Sequence, residues 1–299
     1  MLTIVEQPKA VVKAVLPPEQ EAIVSWNAVA ASGSIDVQIT TVDGRLSAWL
    51  PYVSIGADRR RSLNGRDDVA RIETDVVRAS LPIHTLAVRS TMPLDAVAIT
   101  TPPSIAALAI DPGADEDNGR IMLDVPARTQ YLTSRPEMRG WCSPASLAML
   151  LAYWGTKRDL ESVTRGVHDD AYGGTGNWAF TVAYAATAGL RGVVVHLRSL
   201  EHARRFLAAE IPLALSIAWE RGALAGAPLE ASAGHLLVLR GIDRTHVIVN
   251  DPAHPQRTVR YERTEFERCW LPHGGIAYAV APRERSTQLV ALANGAASR

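Results

Sequence analysis

The sequence predicts two regions of different class. An all-β sandwich or jelly roll is expected over residues 1–118, linker included. An α+β domain follows over 119–283, with 284–299 as a C-terminal tail. Three observations carry this. Between residues 21 and about 110, short runs of alternating apolar and polar residues are separated by turn signals. Next, Asp111-Pro-Gly-Ala-Asp-Glu-Asp-Asn-Gly119 is acidic and rich in breakers, the composition of a linker. Beyond Ile121, helical patterns come early and strands later, which is the α+β order.

In the first region, Ile35, Val37 and Ile39 alternate with Asp36, Gln38 and Thr40, so one face of a strand is apolar. Asp43-Gly44 marks a hairpin turn after it. Further strands are expected at 46–54, 70–77, 85–89 and 96–100. Asn64-Gly65-Arg66-Asp67-Asp68 reads as a solvated turn. Trp26, Trp49 and Tyr52 are candidates for a face that binds a glycan or a peptide. The area such side chains bury favours core packing for them instead.

In the second region, Gly140-Trp141-Cys142-Ser143-Pro144 leads into a run from Leu147 to Trp154 with no polar face. A helix apolar all round is a buried one. Ser143 or Cys142 can cap its start, Pro144 suits its first turn and Gly155 its end. Cys142 then lies at the positive end of a central helix, where backbone N–H groups favour a thiolate over a thiol. A buried structural cysteine is the alternative.

Past an irregular stretch at 166–178, a helix is expected to residue 188. Gly174-Thr-Gly176-Asn-Trp-Ala179 fits G-x-G-x-x-A, but no strand precedes it. It reads as a tight turn beside a cleft and not as a dinucleotide site. Strands at 193–197 and 212–219 flank a helix at 200–209. Strands at 235–241, 246–250 and 258–261 follow, then a short helix capped by Thr264 and a last strand at 276–280.

A thiolate needs a base, and the base needs a group that holds its ring. Among the eight histidines, His235 begins an apolar strand at the edge of a loop, where a side chain can point into a cleft. The next strand ends in Asn250-Asp251-Pro252, and hairpin pairing would return that end towards His235. Alternation sends Asn250 and Asp251 to opposite faces, so one of the two is placed to orient the ring, Asp251 being preferred.

Charge excludes other classes. Acidic and basic residues balance at 31 each, which gives no pull towards nucleic acid or an anionic membrane. No His or Cys pair has metal-ligand spacing, so neither metal nor other cofactor is expected. Two cysteines make no disulfide framework and fit a reducing compartment. Lys13 interrupts the only N-terminal apolar run, and no stretch nears the ~20 residues of a membrane helix, so a cytoplasmic location is expected.

Four motifs carry a resemblance over about 121–282. They are Gln130 in Val-Pro-Ala-Arg-Thr-Gln; Trp141-Cys142-Ser-Pro-Ala-Ser with its helix; Gly234-His235-Leu-Leu-Val-Leu-Arg-Gly; and Asn250-Asp251-Pro252-Ala253 with Trp270 downstream. In this order they resemble papain-like cysteine peptidases of the double-glycine (bacteriocin) leader peptidase type, a bacterial group. The resemblance implies a papain-like α+β fold and a peptide or protein substrate. It also implies Cys142 as nucleophile, His235 as base, Asp251 as its orienting group and Gln130 as oxyanion donor. Ser143 stands where the family often has Gly, and Gln130 is further from Cys142 than is usual. An acyltransferase using the same thioester, and a binding protein without turnover, are the competing functions. Residues 121–299 are expected to fold without the first region.

Overall fold

The computed structural model describes residues 1–8, 11–28, 32–57, 59–103, 119–131 and 140–295; the expected linker lies outside the described residues. The first region consists of β1 (Leu2–Glu6), β2 (Val11–Val15), β3 (Glu21–Asn27), β4 (Gly33–Thr41), β5 (Leu50–Ile55), β6 (Arg60–Ser62), β7 (Ala70–Glu73), β8 (Val76–Ala79), β9 (Ile83–Ser90) and β10 (Ala96–Thr100). They form two five-stranded antiparallel sheets, ordered β1-β10-β3-β8-β7 and β2-β9-β4-β5-β6. Val24, Val77 and Ile99 of one sheet share a core with Val12, Val37 and Val88 of the other.

The alternation of β4 buries Ile35, Val37 and Ile39 as expected. Gly44, at φ +88, closes the turn after it by donating to the Thr41 carbonyl. The run at 70–77 is not one strand. It breaks into the β7–β8 hairpin at Thr74, whose φ is +61 and whose N–H is held by the Asn64 side chain. Trp26 and Tyr52 are buried edge to face in the core, with ring centroids 6.3 Å apart. The Tyr52 hydroxyl donates to the carbonyls of Val24 and Asp75. Trp49 lies under the Arg89 guanidinium, so these three aromatics form no common ligand-binding face.

The second region consists of β11 (Ile121–Met122), α1 (Cys142–Tyr153), α2 (Leu160–Val167), α3 (Trp178–Ala183), β12 (Leu190–His196), α4 (Leu200–Ala208), β13 (Leu213–Trp219), β14 (Ser232–Ile242), β15 (His246–Asn250), β16 (Thr258–Glu262), α5 (Arg263–Trp270), β17 (Ile276–Pro282) and α6 (Ser286–Ala293). A tight 3₁₀ turn carries α3 on to Ala188. The strands form a seven-stranded antiparallel sheet, β12-β17-β13-β14-β15-β16, with β11 added on β14. Helix α1 packs on this sheet with every residue from Ser143 to Leu151 buried. The cap of α5 is Glu262 and not Thr264, because the Glu262 carboxylate accepts from the Glu265 N–H.

Residues 284–299, expected as a tail, include helix α6 with Leu289 and Leu292 buried. The Asn294 side chain, just beyond α6, accepts from the Leu2 N–H and donates to its carbonyl.

The two regions share apolar packing. Leu2, Ile23 and Ala98 of the first belong to the core of the second, while Ala179 and Phe180 of α3 belong to the core of the first. β12 is the outer strand of its sheet, and such an edge leaves N–H and C=O groups unpaired. The Asn27 amide meets them at Gly192, donating to its carbonyl (2.9 Å) and accepting from its N–H (3.0 Å). Gly192 is required there for close packing: a Cβ would lie 2.2 Å from the Val182 carbonyl oxygen.

Candidate active site

Helix α1 delivers the thiol. Cys142 is its first residue and is partly exposed. Neither Ser143 nor Cys142 caps the helix through its side chain; the Ser143 hydroxyl instead joins Thr181 (3.0 Å) and the Tyr278 hydroxyl (3.1 Å) below. The first N–H groups of the helix therefore face the sulfur without a competing side-chain cap, and that of Ser143 stabilises a thiolate there.

Strand β14 delivers the imidazole. It begins at Ser232, so His235 lies inside the strand and not at its first position, paired with Ile217 on β13. The ring is 2% exposed and meets the Trp219 ring edge to face, 5.7 Å between centroids. His235 Nε2 is 2.8 Å from Asp251 Oδ1. The other nitrogen, Nδ1, is left to the Cys142 sulfur, with which the ring shares a hydrogen bond.

Asp251 is itself held on three sides. Its Oδ1 also accepts from the Ala253 N–H (2.9 Å) and its Oδ2 from the Tyr261 hydroxyl (2.9 Å). Asn250 turns away, its amide donating to the Val125 carbonyl (2.8 Å) and its oxygen accepting from Thr258 (2.7 Å). The structure thus brings Cys142, His235 and Asp251 together and ties Asn250 elsewhere. Gln130 is buried, its backbone N–H donating to the Pro252 carbonyl at 2.9 Å, while its side chain is brought into contact with neither Cys142 nor His235 among the described hydrogen bonds.

Burial would raise the Cys142 thiol, but the hydrogen bond and charge of His235, with the N–H groups of Leu236 and Ser143, bring it below its ordinary value. Burial would lower the His235 imidazole, but Asp251 and Cys142 together raise it. Burial would raise the Asp251 carboxyl, but His235, the Ala253 N–H and Tyr261 hold it down. All three net directions favour a thiolate–imidazolium–carboxylate arrangement. Burial and the Asp251 charge push the Tyr261 phenol up, which keeps it a donor. Cys269 is the opposite of Cys142: it is buried, with its thiol raised by burial and by Glu265.

Sequence reasoning missed Tyr261, Trp219 and the Leu236 N–H. For Tyr261 a signal existed: it sits on the inward face of β16 with Val259, and a buried phenol needs a partner for its hydroxyl.

Cys142 opens onto a cleft of about 1440 Å³ whose opposite wall comes from the first region, through Glu19, Glu21, Arg78 and Pro102. The Gly173–Gly176 turn lines its rim, as its sequence suggested. Buried Asp169 pins that turn, accepting from the N–H groups of Ser62 and Ala171 and from the Asn177 amide.

A family model, the Peptidase_C39 like family, matches residues 122–278. No curated protein matches the chain. Among solved structures, the chain is similar to a Bacillus anthracis protein described as a C39-like peptidase, at 20% identity and TM-score 0.43 over 56% of this chain and 99% of that one. A double glycine motif protease from an AMS/PCAT transporter, in complex with the leader peptide, matches at 23% identity and TM-score 0.37, covering 56% and 96%. The peptidase domain of Streptococcus ComA matches at 19% identity and TM-score 0.37, covering 52% and 98%. Among the described residues, no helix is long and apolar enough to cross a membrane.

Proposed function

The chain belongs to the Peptidase_C39 like family, and we propose that it is a cysteine peptidase cutting peptide bonds through Cys142. His235 is its base, Asp251 the group that orients the base, and Gln130 an oxyanion donor. One observation carries this reading: the unbroken run of contacts from the helix-terminal Cys142 through His235 to Asp251 and Tyr261.

The chemistry follows from those contacts. The Cys142 thiolate adds to the scissile carbonyl, and the oxyanion accepts from the Gln130 amide and the first N–H of α1. The His235 imidazolium gives its proton to the departing amine, leaving a thioester. His235 then takes a proton from the water that attacks the thioester, which releases the acid and restores the thiolate. Asp251 accepts from Nε2–H throughout, so Nδ1 remains the nitrogen that exchanges protons with sulfur, amine and water. A reducing, cytoplasmic setting would keep this thiolate from oxidation.

Two further readings accompany the first. The strand orders β1-β10-β3-β8 and β2-β9-β4-β5 support a jelly roll for the first region. A buried helix lying across an antiparallel sheet, with thiol and imidazole at their meeting edge, supports a papain-like arrangement in the second. The catalytic unit is then residue 119 through α6.

The test is cleavage of a peptide library by the full chain, read by mass spectrometry, with Cys142→Ala, His235→Ala and Asp251→Asn alongside. Cys142→Ala and His235→Ala should abolish cleavage, and Asp251→Asn should keep part of it, since an amide oxygen still accepts from the ring. Undiminished cleavage by Cys142→Ala would overturn the assignment.

A further inference from the structure

The wall opposite the thiol carries an apolar step. Ile23 of β3 pairs with Val76 of β8, and Glu21 pairs with Arg78 two residues along. Alternation puts these four side chains on one face of their sheet, and all four residues line the cleft that holds Cys142. Ile23 is buried in the core of the second region. Val76 packs against that core but is only half-buried, so a molecule in the cleft can touch it.

Trp178, the first residue of α3, is the matching group on the other side. It too is half-buried, packs on the same core and lines the cleft. Its N–H donates to the buried Asp75 carboxylate, and Asp75 immediately precedes Val76. The Tyr52 hydroxyl donates to the Asp75 carbonyl at 2.7 Å, which anchors that corner of the hairpin. The start of β8 is thus fixed at the start of α3. Three residues along α3, and so on the same side of it, the Thr181 hydroxyl meets that of Ser143 at 3.0 Å. Ser143 follows Cys142, so Trp178 stands about one helical turn from the end of α1 that carries the thiol.

Half-buried apolar side chains facing one cleft leave apolar area in water that a ligand side chain can cover. Val76 and Trp178 offer such area from two elements joined through Asp75, and Ile23 closes its base. The Glu21–Arg78 ion pair bounds it about 7 Å along the wall, each charge already met by the other. A charged substrate side chain entering beside Val76 and Trp178 would lose water without gaining a partner. We propose that Val76 is a specificity-determining residue, which with Trp178 forms a subsite for an apolar substrate side chain within about three residues of the bond that is cut. This rests on the peptidase reading above and deepens it.

The test is the cleavage profile of a positionally randomised peptide library with the full-length wild type, Val76→Thr and Val76→Asp. Wild type should enrich Leu, Ile, Val or Met over Asp and Lys at one position within about three residues of the scissile bond. The enrichment should be about tenfold in kcat/KM, the worth of half-burying one such side chain. Val76→Thr keeps the shape and adds a hydroxyl, so it should cut the enrichment to about threefold. Val76→Asp should abolish it and favour Lys or Arg there instead, with the other positions unchanged. The rate at which iodoacetamide alkylates Cys142 should be the same in all three proteins, because Val76 is not among the groups that lower the thiol. An unchanged profile in Val76→Asp overturns the subsite while leaving the peptidase reading standing, and so does a loss spread over all positions with slowed alkylation. Should Val76→Asp fail to fold, an unaltered preference in Val76→Thr overturns the subsite in its place. Failure of the wild type to cleave any peptide overturns both.

Discussion

Asn27→Ala tests whether the two regions fold as one. Asn27 is 1% exposed, and its amide serves three partners across the regional boundary. It donates to the Gly192 carbonyl, accepts from the Gly192 N–H and accepts from Arg191 Nη1 at 3.0 Å. Truncation leaves the N–H and C=O of an outer strand unpaired, together with one N–H of an almost fully buried guanidinium. Each such group costs about 1–3 kcal/mol, and water entering the void recovers part of it, so the expected loss is about 3–5 kcal/mol. That is a large share of the roughly 5–15 kcal/mol that stabilises a typical native protein. Urea unfolding of the full chain, followed by both tryptophan fluorescence and far-UV circular dichroism, reads it out. A single transition should move to lower denaturant with the two probes coincident. An unmoved midpoint would refute the accounting. A two-step curve in which only one step shifts would refute the shared core and restore the expectation that 121–299 folds alone.

Brief iodoacetamide treatment should label Cys142 far faster than Cys269, because one thiol is lowered and partly exposed while the other is raised and buried; equal labelling by mass spectrometry would contradict this. Turnover should rise as pH climbs through the lowered Cys142 value and fall as it passes the raised His235 value, where the proton for the leaving amine is lost; a pH–kcat profile checks both limbs. The folded Asp251 carboxyl lies below its ordinary value of 3.8, so the stability it lends is present above that value and lost as pH falls through the lowered one; acid unfolding of Asp251→Asn against wild type measures it. Tyr261→Phe should lower kcat about 3–10-fold with KM unchanged, because Asp251 loses one of its donors. Gln130→Ala should lower kcat by roughly 10²–10³, again with little change in KM, as steady-state kinetics would show.

What was legible in the sequence follows from how local its cause is. Helix α1 could be read because its apolar run and its Gly155 terminator lie within fifteen residues of Cys142. The β14–β15 hairpin could be read because a short turn forces its ends together, and that brings Asp251 to His235. β1 and β2 were missed because their partners lie far along the chain: Leu2 pairs with Thr100 and Val11 with Arg89. Glu262 displaced Thr264 as the cap of α5 because residues two apart compete for the position and only the backbone angle decides between them. Asn27 was illegible for a different reason. A polar residue at a strand end reads as solvated, and only the fold reveals an unpaired strand edge waiting beside it.

On the proposed reading, chemistry and selectivity sit in different stretches of the chain. The proposed nucleophile Cys142, base His235 and orienting carboxylate Asp251 all fall within residues 122–278, where the family match lies. The wall facing them comes from Glu19, Glu21, Arg78 and Pro102, outside that match. That wall is fixed and not a loose appendage. Ile23 of β3, in the strand that carries Glu21, is packed into the catalytic core, and Arg78 is ion-paired to Glu21 on the adjoining strand. On the proposed reading, a peptide reaching Cys142 lies between the sheet floor and a charged wall held by the same core that positions α3. Substitutions in the first region should then change which peptides are cut, through the wall, or whether the chain folds, through the core. They should leave the reactivity of the Cys142 thiol towards a small alkylating agent untouched, because no group of that wall contributes to lowering it.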